Sequence, residues 1–231
     1  FNKAININSA YVGAYNNLGI VLKNLGRLKE AEYNLKKSIQ LNPNFAEAYN
    51  NLGLILIELD RLDEAEVCFQ KAIDLKDNFA EAYNNLGIIF KENLKLVDAK
   101  KNFKKAILLK SNFTEAKNNL GNLLKDLGNY DEAEKYFREV IVLRPNFAEA
   151  YNNLGLLLEE KDQIKESISM YCEAIKLKPN FNEFLINLGN ALNGIPSPVP
   201  VPIVRIGFLF EPPDFAVSLY QTSIVKSFKP P

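Results

Sequence analysis

The sequence predicts an all-α solenoid built from stacked pairs of helices. Three observations carry that expectation. The phrase Asn44-Phe45-Ala46-Glu47-Ala48-Tyr49-Asn50-Asn51-Leu52-Gly53 returns at Asn78, at Asn112, at Asn146 and, degraded, at Asn180, always 34 residues on. Each period holds two stretches of apolar residues at helical spacing, and each stretch is bounded by turn residues. A fixed period of this size signals supersecondary units that bury their faces on one another and leave an extended surface.

Taken in order, residues 1–11 read as the end of a truncated preceding repeat. Phe1-Asn2-Lys3-Ala4-Ile5 aligns with Phe69-Gln70-Lys71-Ala72-Ile73, inside a second helix, and the first residue is not Met. Both features are expected of a piece of a longer protein. Five full repeats follow, at 12–45, 46–79, 80–113, 114–147 and 148–181. A partial sixth repeat or capping helix covers 182–194, and 195–231 is a Pro-rich tail, partly extended. Within each repeat, slots are numbered from its first residue, so that Gly53 occupies slot eight.

The first helix of the second repeat is marked by Ala48, Tyr49, Leu52, Ile55, Leu56 and Leu59 on one stripe. Asn44 with Glu47 reads as an N-cap and its N3 partner, a pairing repeated at Asn78/Glu81, Asn112/Glu115, Asn146/Glu149 and Asn180/Glu183. The second helix, near Leu62 to Leu75, aligns Leu62, Ala65, Phe69, Ala72 and Ile73. Acids crowd its first turn (Asp63, Glu64), where they complement the helix dipole. Pro43, Pro145 and Pro179 end second helices and redirect the chain.

Glycines at slot eight (Gly19, Gly53, Gly87, Gly121, Gly155, Gly189) sit inside first helices, at about 1 kcal/mol each relative to Ala. Repeating such a cost implies close approach of an aromatic from the partner helix: Phe69, Phe103, Phe137 or Tyr171. Between the two helices Gly26 and Gly128 suit a left-handed turn residue. Leu94 stands at the same place and is a poor candidate for positive φ, so a different turn is expected there.

The sequence Tyr49-x-x-Leu52-Gly53-x-x-Leu56, followed by Ala65, Phe69 and Ala72, resembles the tetratricopeptide repeat. Lys117 and Leu185 depart from its slot-four aromatic, and Ser167 from its Ala. The resemblance implies antiparallel helix pairs coiling into a right-handed superhelix, with first helices lining a concave face that binds proteins or extended peptides. A pentatricopeptide array has a usual period of 35 and is commonly basic. The strict 34-residue spacing and zero net charge argue against it.

Zero net charge also means that no global field recruits nucleic acid or anionic membrane. No stretch reads as a secretory leader or a membrane span. Cys68 and Cys172 occupy non-equivalent slots three repeats apart, too far to bridge. Two packed thiols fit a reducing, cytoplasmic setting. The chain has no His, so His-dependent triads and His-containing metal sites are excluded, and no phosphate-cradling glycine loop is found. The reading is a non-catalytic module with no cofactor, no metal and no catalytic residue.

The resemblance turns slots two, five, six, nine, twelve and thirteen of each first helix inward. Slot six is Asn17, Asn51, Asn85, Asn119, Asn153 and Asn187; slot five is Asn16, Asn50, Asn84, Asn118 and Asn152. A carboxamide carries donor and acceptor together, so such a column is able to grip a peptide backbone. The same column is equally able to tether neighbouring helices. Slot two is Glu47, Glu81, Glu115, Glu149 and Glu183, read mainly as caps. Slot thirteen holds Glu58, Glu92, Asp126 and Glu160, read as a solvated acidic row. The continuous slot-six ladder resembles the substrate-docking arm of O-linked N-acetylglucosamine transferases and their SPINDLY-type relatives. This supplies the alternative: a docking region of a sugar transferase whose catalytic domain is missing. The basic clamp by which chaperone-binding members hold a carboxylate is absent, because its slots carry Glu and Asn.

In the tail, Ile203–Phe210 reads as a buried strand. Arg205-Ile206-Gly207-Phe208 with Asp214-Phe215 is compatible with the opening of that transferase's catalytic part, although the His expected after it is missing. The tail also reads as a cover over Leu185, Leu188 and Leu192, or as a disordered segment, since eight of its 37 residues are Pro. End-to-end self-association through exposed terminal faces completes the expectations.

Overall fold

A computed structural model describes residues 11–193, and all of its regular structure is helical. The order is α1 (Val12–Asn24), α2 (Leu28–Leu41), α3 (Ala46–Glu58), α4 (Leu62–Leu75), α5 (Ala80–Glu92), α6 (Leu96–Leu109), α7 (Thr114–Asp126), α8 (Tyr130–Leu143), α9 (Ala148–Glu160), α10 (Ile164–Leu177) and α11 (Asn182–Asn193). Odd-numbered helices are the first of a pair, even-numbered the second. Each first helix packs mainly on its own second helix, which packs in turn on the next first helix. Successive first helices also touch. This is the all-α solenoid expected. The readings of residues 1–10 and of the tail, including the Ile203–Phe210 strand, lie outside the described residues.

The slot-eight glycines set the spacing of each pair. A Cβ built on Gly53 would lie 2.6 Å from Phe69, on Gly87 2.7 Å from Phe103, on Gly121 2.6 Å from Phe137 and on Gly155 2.6 Å from Tyr171. In the first repeat Leu35 fills this place, 2.7 Å from the position of a Gly19 Cβ. These partner side chains are fully buried, and Ala65, Ala99 and Ala133 beside them expose nothing. Gly189 differs: among the described residues nothing lies within 4 Å of its Cβ position.

Three expectations are corrected. The first-helix N-caps are Phe45, Phe79, Phe113 and Phe147, none with a side-chain cap bond. Asn44 lies one residue too early, within the tight turn closed by Phe45 N donating to Asn42 O. At the boundary Phe79 and Phe113 are buried, while Phe45 and Phe147 are half-buried. Second, Leu94 does adopt φ 57°, as Asp60 and Asp162 adopt 58°. Lys95 N donates to Phe90 O at 2.8 Å and Leu94 N to Lys91 O at 3.0 Å. This closure is the same at every turn of its kind and overrides the preference of the residue. Third, the α11 stripe is not bare. Leu188 is buried, and Leu185 and Leu192 pack half-buried in a cluster with Tyr171 and Phe184.

Gly87→Ala or Gly121→Ala is expected to cost about 1–3 kcal/mol of stability, because a packed ring must move. Gly189→Ala, meeting open space, is expected to raise stability by up to about 1 kcal/mol through helix propensity alone. Urea unfolding followed by circular dichroism measures both. Leu94→Gly is expected to stabilise by about 1 kcal/mol, since the side chain is 80% exposed and contributes only backbone strain. The same unfolding assay checks it.

Candidate functional site: the asparagine groove

The slot-five and slot-six asparagines form a ladder of five separate hydrogen-bonded rungs. Asn51 Nδ2 donates to Asn16 Oδ1 at 2.9 Å, Asn85 to Asn50 at 3.0 Å, Asn119 to Asn84 at 3.0 Å, Asn153 to Asn118 at 3.0 Å and Asn187 to Asn152 at 2.8 Å. Every rung crosses from one repeat to the one before it. The periodicity puts the two asparagines on adjacent positions of one helix turn. The stacking of first helices brings slot six of one repeat onto slot five of its predecessor.

Burial separates the two rows. Asn16, Asn50, Asn84, Asn118 and Asn152 are between 2% and 7% exposed, so their carbonyl oxygens need a partner and find one in the ladder. Asn51, Asn85, Asn119, Asn153 and Asn187 are half-buried, and Asn17 is exposed. In the first repeat Asn16 Nδ2 also donates to Asn17 Oδ1 at 3.1 Å. Elsewhere, among the described residues, the slot-six Oδ1 atoms and the slot-five Nδ2 groups take no protein partner. None of them is a buried, unsatisfied atom. Each middle repeat therefore keeps one carboxamide acceptor and one carboxamide donor side by side. Tethering and ligand gripping are thus compatible uses of the same two side chains.

Slot nine flanks these rows with Ile20, Leu54, Ile88, Asn122 and Leu156. Ile20 is exposed and the others are half-buried. Slots twelve and thirteen form a charged border. Lys23 pairs with Glu58 at 3.1 Å and Lys91 with Asp126 at 2.7 Å, again between successive repeats. Glu58, Glu92, Asp126 and Glu160 are all exposed, as the solvated acidic row requires.

The slot-two acids behave differently from the caps expected. Glu47 pairs with Lys76 at 2.8 Å, Glu81 with Lys110 at 2.9 Å, Glu115 with Arg144 at 2.7 Å, and Glu149 with Lys178. The cation in each case follows the second helix of the same repeat. It also lies over the ring that starts the next: Lys76 over Phe79 at 4.7 Å, Lys110 over Phe113 at 4.6 Å and Arg144 over Phe147 at 4.9 Å. The recurring Glu-to-cation interval of 29 residues was the available signal for this clamp. The Lys76 hydrogen bond holds the Glu47 carboxyl below the usual range. At Glu81, Glu115 and Glu149 burial pushes the carboxyl up, but the cation and the residue's own backbone N–H together outweigh it and the net direction is down.

In repeat five two buried oxygens find no hydrogen-bond partner among the described residues: Glu159 Oε1 and the Tyr171 hydroxyl. Burial pushes the Glu159 carboxyl up, more than the nearby Tyr171 hydroxyl draws it down. Burial likewise raises the Cys68 thiol to about 11 and shifts Cys172 in the same direction, which favours the protonated thiol at both half-buried sites. No helix among the described residues is long and apolar enough to cross a membrane.

Comparison with known proteins agrees with this architecture. Models of the tetratricopeptide repeat match residues 12–45, 46–79, 114–147 and 148–181, which together exceed half the chain. The chain belongs to the tetratricopeptide repeat family. Among solved structures it is similar to YrrB, described as a TPR protein with an unusual peptide-binding site. The identity is 26%, the TM-score 0.60, and the match covers 80% of this chain and 96% of that one. TTC0263 of Thermus thermophilus shares the fold at 19% identity and a TM-score of 0.67, over 79% and 99% of the two chains. So does PilW, a type IV pilus biogenesis factor, at 18% identity and 0.73, over 79% and 84%. No curated protein matches the chain.

The slot-two clamps give the fold a defined acid response. Carboxylates whose folded pKa is depressed contribute stability that is present above their unfolded value, about 4.3, and lost as pH falls through the folded value. Unfolding free energy is expected to decline below that pH. The combined variant Lys76→Met, Lys110→Met, Lys178→Met is expected to show a shallower decline, measured by urea titrations between pH 3 and 7.

Proposed function

We propose that this chain is a protein-interaction module that binds an extended peptide segment along its asparagine-lined groove, without catalysis of its own. The observation that carries the reading is the residual bonding capacity of the ladder. Each middle repeat offers one carboxamide donor and one acceptor at the same place, beside an aliphatic slot-nine residue in repeats two, three and five and beside Asn122 in repeat four. A peptide backbone presents the complementary pair once per residue, so contact through the backbone tolerates many sequences. Each such bond nets about 0.5–1.5 kcal/mol. A row of them, after ordering costs, gives binding of about micromolar strength. The ladder holds the side chains in place before the ligand arrives, which lowers those costs. The peptide-binding description of the similar YrrB supports the same use of the fold. The two packed thiols fit a reducing setting for that interaction. The likeness to sugar-transferase docking arms rests on the slot-six row, and it describes the same grip on a peptide.

The combined variant Asn85→Ala, Asn119→Ala, Asn153→Ala is expected to weaken binding of a fluorescein-labelled, capped ten-residue Ala/Ser/Thr peptide by about tenfold or more. Fluorescence anisotropy measures the affinity. Removing the rungs also leaves buried Oδ1 atoms unpaired, so a parallel melt corrects for lost stability. Unchanged affinity in a folded triple variant rules the groove out as the peptide site.

A further inference from the structure

We propose a second binding site, on the second-helix side of repeat four, that accepts an aromatic side chain flanked by carboxylates from a partner protein. It is independent of the asparagine groove, and none of the groove-row residues lines it.

The argument starts from the departure at slot four. Tyr49, Tyr83 and Tyr151 hold that slot in other repeats, half-buried against the apolar core. In repeat three Lys105 of α6 lies over the Tyr83 ring, 5.9 Å from its centroid. Repeat four has Lys117 in place of the ring and Glu139 in place of the lysine. The two form an ion pair at 2.5 Å, with Lys117 only 9% exposed. An unbranched stem is narrower than a phenol ring. Beside it a cavity of about 530 Å³ opens between α8 and the α6–α7 turn.

The chemistry of the walls selects the occupant. Val142 and Leu143 supply an apolar side that stands exposed, Val142 at 78%. Such surface favours a ring that removes it from water. Three cations, Lys117, Lys135 and Arg138, surround the cavity with one acid, Glu139. Arg138 is committed to Glu134 at 2.8 Å and Glu166 at 2.7 Å, and Lys117 to Glu139. Lys135 has no carboxylate within ion-pair distance among the described residues, so the rim keeps one unneutralised positive charge. An inserted ring would meet the Lys117 stem much as Tyr83 meets Lys105, with the cation contributing through the ring face. Acidic neighbours of that ring would reach Lys135. An aromatic residue between carboxylates satisfies both features, whereas a basic or purely aliphatic segment satisfies one or neither.

The test uses the capped tripeptide Asp-Tyr-Asp as probe and methyl NMR of Val142 and Leu143 as readout. A saturating shift at those methyls is expected. Lys117→Tyr restores the residue of the neighbouring repeats and fills the cavity, and is expected to weaken binding about tenfold or more. Val142→Asp, at an exposed position away from the core, blocks the mouth and is expected to do the same. Lys135→Glu is expected to weaken binding about fivefold. The triple asparagine variant is expected to bind the probe unchanged, which separates this site from the groove. Unchanged affinity in the Lys117→Tyr and Val142→Asp variants overturns the proposal. So does equal binding of capped Lys-Tyr-Lys or Asp-Ala-Asp, or the absence of any methyl shift at about 5 mM peptide.

Discussion

One clearance governs this molecule: the missing Cβ at slot eight of each first helix. Through that gap an aromatic side chain of the second helix in repeats two to five, and Leu35 in repeat one, reaches the first helix backbone, closer than any side chain on the glycine would allow. The helix pair is therefore held at one spacing. Pairs of identical spacing stack with identical offsets, and identical offsets bring slot six of each repeat onto slot five of the last. The asparagine ladder follows from packing below it, and its near-constant rung length of 2.8–3.0 Å records that regularity.

The asparagine ladder is first of all a structural element, tying each repeat to the one before it. Five buried carboxamides are tolerable in a protein interior only because each carbonyl receives a rung. The same arrangement fixes the rotamers of side chains that a ligand would otherwise have to order. Ion pairs add a parallel set of ties. Slot-two acids are bound to the cation that closes their own repeat, while slots twelve and thirteen link successive repeats. Exposed pairs of this kind contribute little each, typically well under 1 kcal/mol. Their regularity is more informative about register than about stability.

Where one repeat departs from the others, the surface changes character. Lys117 and Glu139 stand where other repeats have a ring and a lysine, and both line a cavity. Tyr171 adds a hydroxyl where three repeats have phenylalanine, and it meets Glu159 without closing a hydrogen bond. Departures of this sort cost stability or packing, and sites of function are where such costs are commonly retained. The binding readings for the groove and for the cavity thus rest on opposite features: strict repetition in one, local deviation in the other.

The amino-acid sequence by itself determined the period, the two helices per repeat, the slot-eight glycine partnership and the identity of the asparagine rows. All of these depend on spacing along one chain, and 34-residue repetition displays each of them several times. It misplaced the first-helix caps by one residue, because an asparagine before a helix is a cap only if the backbone turns there. Here the chain turns one residue later, at the phenylalanine. It also set Leu94 apart from the other turns, because propensity cannot weigh a closure imposed by the two flanking helices. Only the tertiary structure decided that rungs run between repeats, that slot-two acids are spent on cations 29 residues away, and that a lysine at slot four leaves room beside it. Those are contacts between units, fixed by the offset of one helix pair on the next, and no local pattern of residues encodes an offset.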